Sequence, residues 1–177
     1  GQGYSVTALQ ATSVFATIAN DGVRVTPNVV AGTIDNSGKF TPSKPQATER
    51  VVSSQTAEQM RLIMESVVSE QGTAPAAAIP GYRIAGKTGT AQRSDSTCHC
   101  YRGYTSSFIG FAPADQPKYV VSVVIQNPRG QHFGGVIAAP VFKTVMSFVL
   151  QSKHIPPTNT NKVAYALNEN ALKKQKG

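Results

Sequence analysis

No apolar run in this 177-residue sequence approaches the roughly 18 residues of a membrane-spanning helix. The longest stretches, such as Val136 to Phe142, are short and carry a proline. The pattern of a secretory leader is missing as well, and the chain begins at Gly1 rather than at methionine, which reads as a processed chain or a piece of something longer. Internal repeats are absent. Cysteine is scarce: Cys98 and Cys100 flank His99, and no second cluster stands at the spacing of a structural zinc site, which normally needs about four ligands. Metal ligation, a disulfide to each other or to another segment, and incidental thiols remain open at this point.

Acidic residues are also few. Nine Asp+Glu against 17 Lys+Arg leave a formal charge of +8. Residues 151–177 carry five lysines (Lys153, Lys162, Lys173, Lys174, Lys176) against Glu169, so half of the excess sits in a short polar tail. A nucleic-acid surface calls for a basic stripe on a folded face, preferably with exposed aromatics. The placement here reads instead as a solvated tail, and no nucleic-acid partner is expected. With 40% hydrophobic residues the chain is long and apolar enough for one globular unit with a sizeable core.

Thr7 to Gln10 forms a capping-box signature, followed by Ala8, Ala11, Phe15 and Ile18 at helical spacing and by the stop Asn20-Asp21-Gly22. This predicts a first helix, mostly buried. Short strands are expected at Val23–Val25 and Val29–Ile34, with a hairpin turn at Asp35-Asn36-Ser37-Gly38 continuing through Lys39-Phe40. Thr41 to Arg50, with Pro42 and Pro45, reads as a loop. A second helix starts at Ser53 or Ser54, carries the stripe Ala57, Met60, Ile63, Met64, Val67 and Val68, and ends near Gly72. Three strands follow, at about Tyr82–Gln92, Thr105–Ala112 and Tyr119–Gln126. The link Arg93 to Tyr104 is polar and holds the cysteines. A glycine-bearing loop, Pro128 to Gly135, precedes a last helix with Pro140 near its first turn. Beyond Lys153 a mobile tail is expected, with a brief helical turn around Ala164–Leu172. Helices first, then three strands and a closing helix, make an α+β fold with an antiparallel sheet.

Lys87-Thr88-Gly89-Thr90 falls inside the first of the three strands. An ammonium at Lys87 can hold a carboxylate-bearing substrate and shape the proton affinity of a neighbouring hydroxyl. A hydroxyl at Thr88 or Thr90 can hydrogen-bond that carboxylate. Gly89 removes the side chain where an acyl group must lie against the backbone, and on an exposed edge a strand N–H is free to face a developing oxyanion. A lysine on an edge strand also deters aggregation, and the triplet alone does not separate the two roles. His99, His132 and His154 are expected in loop or packing roles rather than in a Ser-His-Asp site, although the His132 loop can border the same cleft.

The surroundings of the triplet resemble a known family over roughly residues 1–150. Lys-Thr-Gly, with a Ser-x-x-Lys and a Ser-Asp-Asn, is the signature set of penicillin-binding proteins and serine β-lactamases. Gly1-Gln2-Gly3 with Val6-Thr7 and Leu9-Gln10 resembles the segment that leads into a helix there. Gly72-Thr73-Ala74, Gly81-Tyr82 and Ala85-Gly86-Lys87-Thr88-Gly89-Thr90-Ala91-Gln92 resemble the approach to the substrate-binding strand and the strand itself. Ser107 to Ala114 resembles the next strand, and Gly134-Gly135-Val136-Ile137-Ala138-Ala139-Pro140-Val141-Phe142 the start of the last helix. Together they are most similar to class B penicillin-binding proteins of the cell-division type.

The resemblance implies a peptidoglycan D,D-transpeptidase that cross-links stem peptides through a serine acyl-enzyme in septal wall synthesis and binds β-lactam antibiotics. Residues 1–152 would be the C-terminal part of the transpeptidase domain and 153–177 a polar basic tail. Lys87 would assist the catalytic hydrogen-bond network, Thr88 and Thr90 would bind the substrate carboxylate, Gly89 would complete the binding strand, and the Thr90 N–H would be one oxyanion donor. No metal and no cofactor is implied. Implied partners are the upstream part of the same domain and divisome proteins; the implied place is the extracytoplasmic face of a bacterial membrane, with the anchor outside this chain. The sequence departs from the signature set at two points: no serine has a lysine three residues on, and none is followed two residues later by asparagine. Without an activated nucleophile the chain alone is expected to be inactive. Its helices and partial sheet, lacking the rest of their domain, leave apolar surface uncovered, so poor folding is expected. A β-lactamase or β-lactam sensor of the same superfamily, and a non-catalytic cell-wall interaction module, are the competing readings.

Overall fold

Thr7 opens the first helix, α1 (Ala8–Ala19), through the capping box its sequence predicts: its hydroxyl accepts the Gln10 N–H at 3.1 Å while the Gln10 side chain takes the Thr7 N–H at 2.9 Å. The computed structural model describes residues 5–158 apart from Pro45, so Gly1-Gln2-Gly3 and the turn expected at Ala164–Leu172 lie outside the described residues. The expectation of a mostly buried α1 does not hold. Only Thr17 is buried, and Leu9 and Val14 are 60% and 62% exposed. The helix is held by one face, where Phe15, Ile18 and Ala19 pack on a cluster of Met64, Ala85, Phe111 and Ala114. At its end Gly22 sits at φ +82°, and a side chain there would meet the Val52 carbonyl oxygen at 2.3 Å, so glycine is required for both conformation and space.

The next segment is a two-stranded arm. Strands β1 (Val23–Val25) and β4 (Thr48–Arg50) pair antiparallel, as do β2 (Gly32–Ile34) and β3 (Phe40–Pro42) further out. The loop expected from Thr41 to Arg50 is thus strand at both ends, and the strand expected at Val29–Ile34 contracts to β2. At the turn the Asp35 carboxylate accepts the Ser37 hydroxyl and the N–H groups of Ser37 and Lys39. These bonds, the Ser37 hydroxyl foremost, hold its pKa below the usual carboxylate value.

Helix α2 (Ser54–Ser66) is capped by the Ser53 hydroxyl on the Thr56 N–H at 3.0 Å. It stops at Ser66, short of Gly72, because the chain folds back: the Ala74 N–H reaches the Val67 carbonyl at 2.9 Å. A Cβ on Gly72 would stand 2.2 Å from that same carbonyl oxygen, so the glycine marks a close approach rather than the helix end. Its stripe is also narrower than expected: Ala57, Met64 and Val68 are buried, whereas Met60 and Ile63 are exposed. Glu65 takes a two-pronged ion pair from Arg83, with contacts of 2.8 and 2.6 Å, both side chains largely buried. The Glu65 hydrogen bond raises the Arg83 pKa against the opposing effect of burial, with the nearby charges of Glu65 and Asp115 adding to it. The pair ties α2 to the approach of the sheet.

The sheet has the order β5-β6-β7, with β5 (Ala85–Asp95), β6 (Cys100–Ala112) and β7 (Tyr119–Gln126), all antiparallel. The first strand is shifted from the expected Tyr82–Gln92, and the polar link expected from Arg93 to Tyr104 is largely strand. A register shift between Gln92 and Ser94 lets the ladder run on to a Cys98–Cys100 disulfide at the hairpin end. The thiols are thereby bonded to each other and are not available to a metal.

Alternation sorts the sheet into two faces. On one, Phe108 packs edge-on to Phe142 at 4.8 Å, within a core of Ile84, Ala138, Met146 and Leu150. A buried aromatic of this kind contributes about 2–3 kcal/mol. On the other face Phe111 meets α1 and α2. Helix α3 (Gly134–Ser152) covers the Phe108 face; its length and mean hydropathy equal those of a membrane span, yet Phe142, Met146 and Leu150 make it the core helix here. It begins at Gly134, as the resemblance implies and two residues earlier than a loop ending at Gly135 allows, and Pro140 lies in its second turn rather than its first. Pro140 removes one bond, to the carbonyl of exposed Val136, where water can serve instead. After α3 the chain turns back: the Tyr82 hydroxyl donates to the Ile155 carbonyl at 2.7 Å and the Thr158 N–H to Gly81 at 2.8 Å. Residues 155–158 are therefore docked on the body, where a mobile tail is expected from Lys153 onward.

Candidate active site

Strand β5 lies at the edge of its sheet, pairing among the described residues with β6 alone. In an antiparallel pair successive residues turn their main-chain groups to opposite sides. The Arg83 carbonyl takes the Ala114 N–H across the β5–β6 side, and the Tyr104 carbonyl takes the Asn127 N–H on the β6–β7 side, both at 2.8 Å. Continued along the register, Ala85, Lys87, Gly89 and Ala91 face β6. The N–H and C=O groups of Thr88 and Thr90 then point off the free edge.

Lys87 and Thr88 meet there, and the Thr90 N–H lies two residues further along the same edge. Lys87 is exposed, and its ammonium donates to the Thr88 hydroxyl at 2.9 Å and to the Thr88 carbonyl at 3.2 Å. A cation and a hydroxyl stand side by side beside an outward N–H. The Thr90 hydroxyl goes elsewhere: it points to the α3 face and accepts the Gly134 N–H at 3.1 Å. What Thr90 turns to the edge is its N–H. Gly89 lies between them on the α1 face, where a Cβ would meet the Ser107 hydroxyl at 2.4 Å.

The strand is held from behind. Gly134 opens α3 so close to the sheet that a Cβ on it would stand 2.3 Å from the Ser107 carbonyl oxygen and 2.5 Å from that of Gly89. Gly135 is as tight, with 2.1 Å to the Thr73 carbonyl oxygen. Thr73, from the turn after α2, also places its hydroxyl 3.2 Å from that of Thr88. The glycine pair, Thr73 and the Lys87–Thr90 strand thus interlock. Gly134-Gly135 is legible in the sequence as a motif but not as a packing requirement, and nothing local marks Thr73 as a neighbour of Thr88, fifteen residues on.

A groove of about 450 Å³ runs along the α1 face of β5, floored by Gly89, Ala91, Thr105 and Ser107 and walled by Thr7 and Ala11. Its small side chains leave room for an extended chain beside the strand. His132 stacks on Tyr104 with ring centres 3.9 Å apart, and its carbonyl accepts the hydroxyl of buried Ser106. This is a packing role for the Pro128–Gly135 loop. His99 sits in the turn of the β5–β6 hairpin, and His154 follows the end of α3.

Chemically, the edge holds groups that can receive anionic oxygen: an ammonium beside a hydroxyl, and an outward N–H next to a glycine. It does not offer a nucleophile paired with its base, since no Ser-x-x-Lys occurs in the sequence.

The chain is similar to known proteins over most of its length. Residues 1–147 match the family described as penicillin binding protein transpeptidase domain. The chain is 42% identical over 166 residues to penicillin-binding protein PbpB of Mycolicibacterium smegmatis, covering 88% of this chain and 26% of that protein. It is 35% identical over 173 residues to the peptidoglycan D,D-transpeptidase FtsI of Escherichia coli, covering 96% and 28%. A crystal structure of penicillin binding protein 3 from Mycobacterium tuberculosis in complex with ampicillin superposes with a TM-score of 0.85 at 39% identity, over 93% of this chain and 39% of that one. The chain spans about a quarter of the length of these curated relatives.

Proposed function

The chain belongs to the penicillin-binding protein transpeptidase family, and from that premise we propose that it is the substrate-binding part of a peptidoglycan D,D-transpeptidase. The observation that carries the proposal is the free edge of β5, where the Lys87 ammonium meets the Thr88 hydroxyl and the Thr90 N–H follows two residues along. A stem peptide ending in D-Ala-D-Ala presents a carboxylate one residue beyond its scissile carbonyl. Lys87 and Thr88 bind that carboxylate, and the peptide lies antiparallel along β5, its carbonyl oxygen at the Thr90 N–H. The absent side chain of Gly89 lets the acyl group approach.

The nucleophilic serine, its lysine and the second oxyanion donor come from a part of the domain outside these 177 residues. The serine oxygen attacks the penultimate carbonyl, the terminal D-alanine departs with a proton on its amine, and an ester remains. The amine of a second stem peptide then displaces the serine to form the cross-link. A β-lactam enters the same way, its carboxylate on Lys87 and Thr88, and forms an adduct that is not displaced. The exposed apolar residues Leu9, Val14, Met60 and Ile63 support contact with that further part.

In this reading the protein works on the extracytoplasmic face of a bacterial membrane, held by an N-terminal anchor outside these residues, in septal wall synthesis with divisome partners. The FtsI name of a relative supports this setting. Fluorescent-penicillin labelling tests the proposal on three proteins: this chain alone, this chain joined to the nucleophile-bearing part, and the latter with Lys87→Ala. Labelling of the joined form only, weakened by the substitution, is expected. No labelling of the joined form, or labelling unchanged by Lys87→Ala, overturns it.

A further inference from the structure

The Thr88 hydroxyl has two lone pairs and one hydrogen to place. The Lys87 ammonium fills one lone pair at 2.9 Å. Its other neighbour is the hydroxyl of Thr73 at 3.2 Å, where either oxygen can be the donor. A carboxylate arriving at the edge can only accept, so Thr88 must turn its hydrogen toward it. The second lone pair of Thr88 then needs a donor, and the Thr73 O–H is positioned to supply it.

We propose that Thr73 is a positioning residue for carboxylate recognition: it receives the Thr88 hydrogen while the site is empty and donates to Thr88 when a substrate carboxylate is bound. With Lys87 and Thr73 both donating to its oxygen, the Thr88 hydrogen has no acceptor but the substrate. Two hydroxyl rotors turn and no backbone moves. The backbone of Thr73 is fixed for the purpose. Its carbonyl lies against Gly135 at the start of α3, and the Ala74 N–H is bonded to Val67. The turn after α2 therefore holds the hydroxyl at a constant distance from β5, as a mobile loop would not. Carboxylate affinity is in this way set partly from outside the Lys-Thr-Gly strand, by a residue that need not touch the ligand.

This inference rests on the transpeptidase reading, and the test keeps the two apart. The complete transpeptidase domain, parent and variants, is acylated with benzylpenicillin and with its methyl ester, which lacks the anion. Thr73→Val keeps the shape and removes the hydroxyl; Thr73→Ser restores the hydroxyl. Losing one such hydrogen bond slows acylation by benzylpenicillin about three- to tenfold. The loss falls on the apparent binding constant rather than on the limiting rate, the methyl ester reacts as with the parent, and Thr73→Ser recovers the parent behaviour. Equal slowing with acid and ester, no slowing at all, or failure of serine to rescue overturns the role of Thr73 while leaving the transpeptidase reading in place. A parent domain that neither ligand acylates overturns both.

Discussion

Substituting Gly134 by alanine tests the support behind the edge strand. The added Cβ would lie 2.3 Å from the Ser107 carbonyl oxygen and 2.5 Å from that of Gly89, against 3.4 Å or more for an ordinary contact. Both obstacles are backbone, so neither can swing aside; the start of α3 must retreat by about 1 Å. The 3.1 Å bond from the Gly134 N–H to the Thr90 hydroxyl then stretches beyond useful range. Overpacking of this kind costs about 1–3 kcal/mol, and the lost bond about 1 kcal/mol more. The better helix propensity of alanine returns at most about 1 kcal/mol, and less in a first turn. A net loss of about 2–3 kcal/mol is expected, read as a lower midpoint in urea unfolding of the complete domain. Acylation by fluorescent penicillin should fall in parallel, because Gly89 and Thr90 lose the support of α3. A Gly134→Ala domain with parental midpoint and parental acylation rate refutes the idea that α3 sets the position of β5.

Other expectations are as direct. In a double-mutant cycle of Glu65→Gln and Arg83→Met, each single change should destabilise by about 3 kcal/mol and the pair by much less than the sum, since each alone strands a largely buried charge; additive losses would count against the ion pair as the link between α2 and the sheet. The Asp35 turn should hold to low pH. Because hydrogen bonds to the carboxylate lower its pKa, their stabilisation is present above the ordinary aspartate value and is lost only as pH falls through the lowered one, so the Ser37 and Lys39 amide signals should shift below, not at, the pH where a free aspartate titrates. The 177-residue chain alone should melt without a cooperative transition, given the exposed Leu9, Val14, Met60 and Ile63; a sharp calorimetric peak would contradict this. A maleimide should react with the native protein after reduction and not before, since Cys98 and Cys100 are exposed but joined.

What could be read from the chain beforehand divides along a physical line. The capping box at Thr7, the stop at Gly22 and the hairpin from β6 to β7 are local, set by residues a few positions apart, and each stands where the sequence puts it. The Lys87–Thr90 strand was legible for the same reason, and the role proposed for it comes from the family resemblance. The misjudged parts depend on distant neighbours. Nothing in the polar run Arg93 to Tyr104 alternates, so its strand character comes from pairing across the hairpin. The loop expected through Gly135 is already helix from Gly134 because that glycine fits against backbone atoms of Gly89 and Ser107, far away in sequence. The burial of α1 was overstated because its apolar residues encircle more of the helix than this chain covers. Thr73 carried no local sign of the Thr88 hydroxyl it meets.

The bond from Gly134 to Thr90 spans 44 residues, and the helix is the later partner. At about 5–20 residues per second of synthesis, the edge strand exists for roughly 2–9 s before the element that clamps it is made. During that interval a growing chain already carries Lys87 and Thr88 but lacks the brace behind Gly89. The strand is therefore unbraced for that part of synthesis, and a ribosome stalled short of α3 yields a chain that holds the motif without its support.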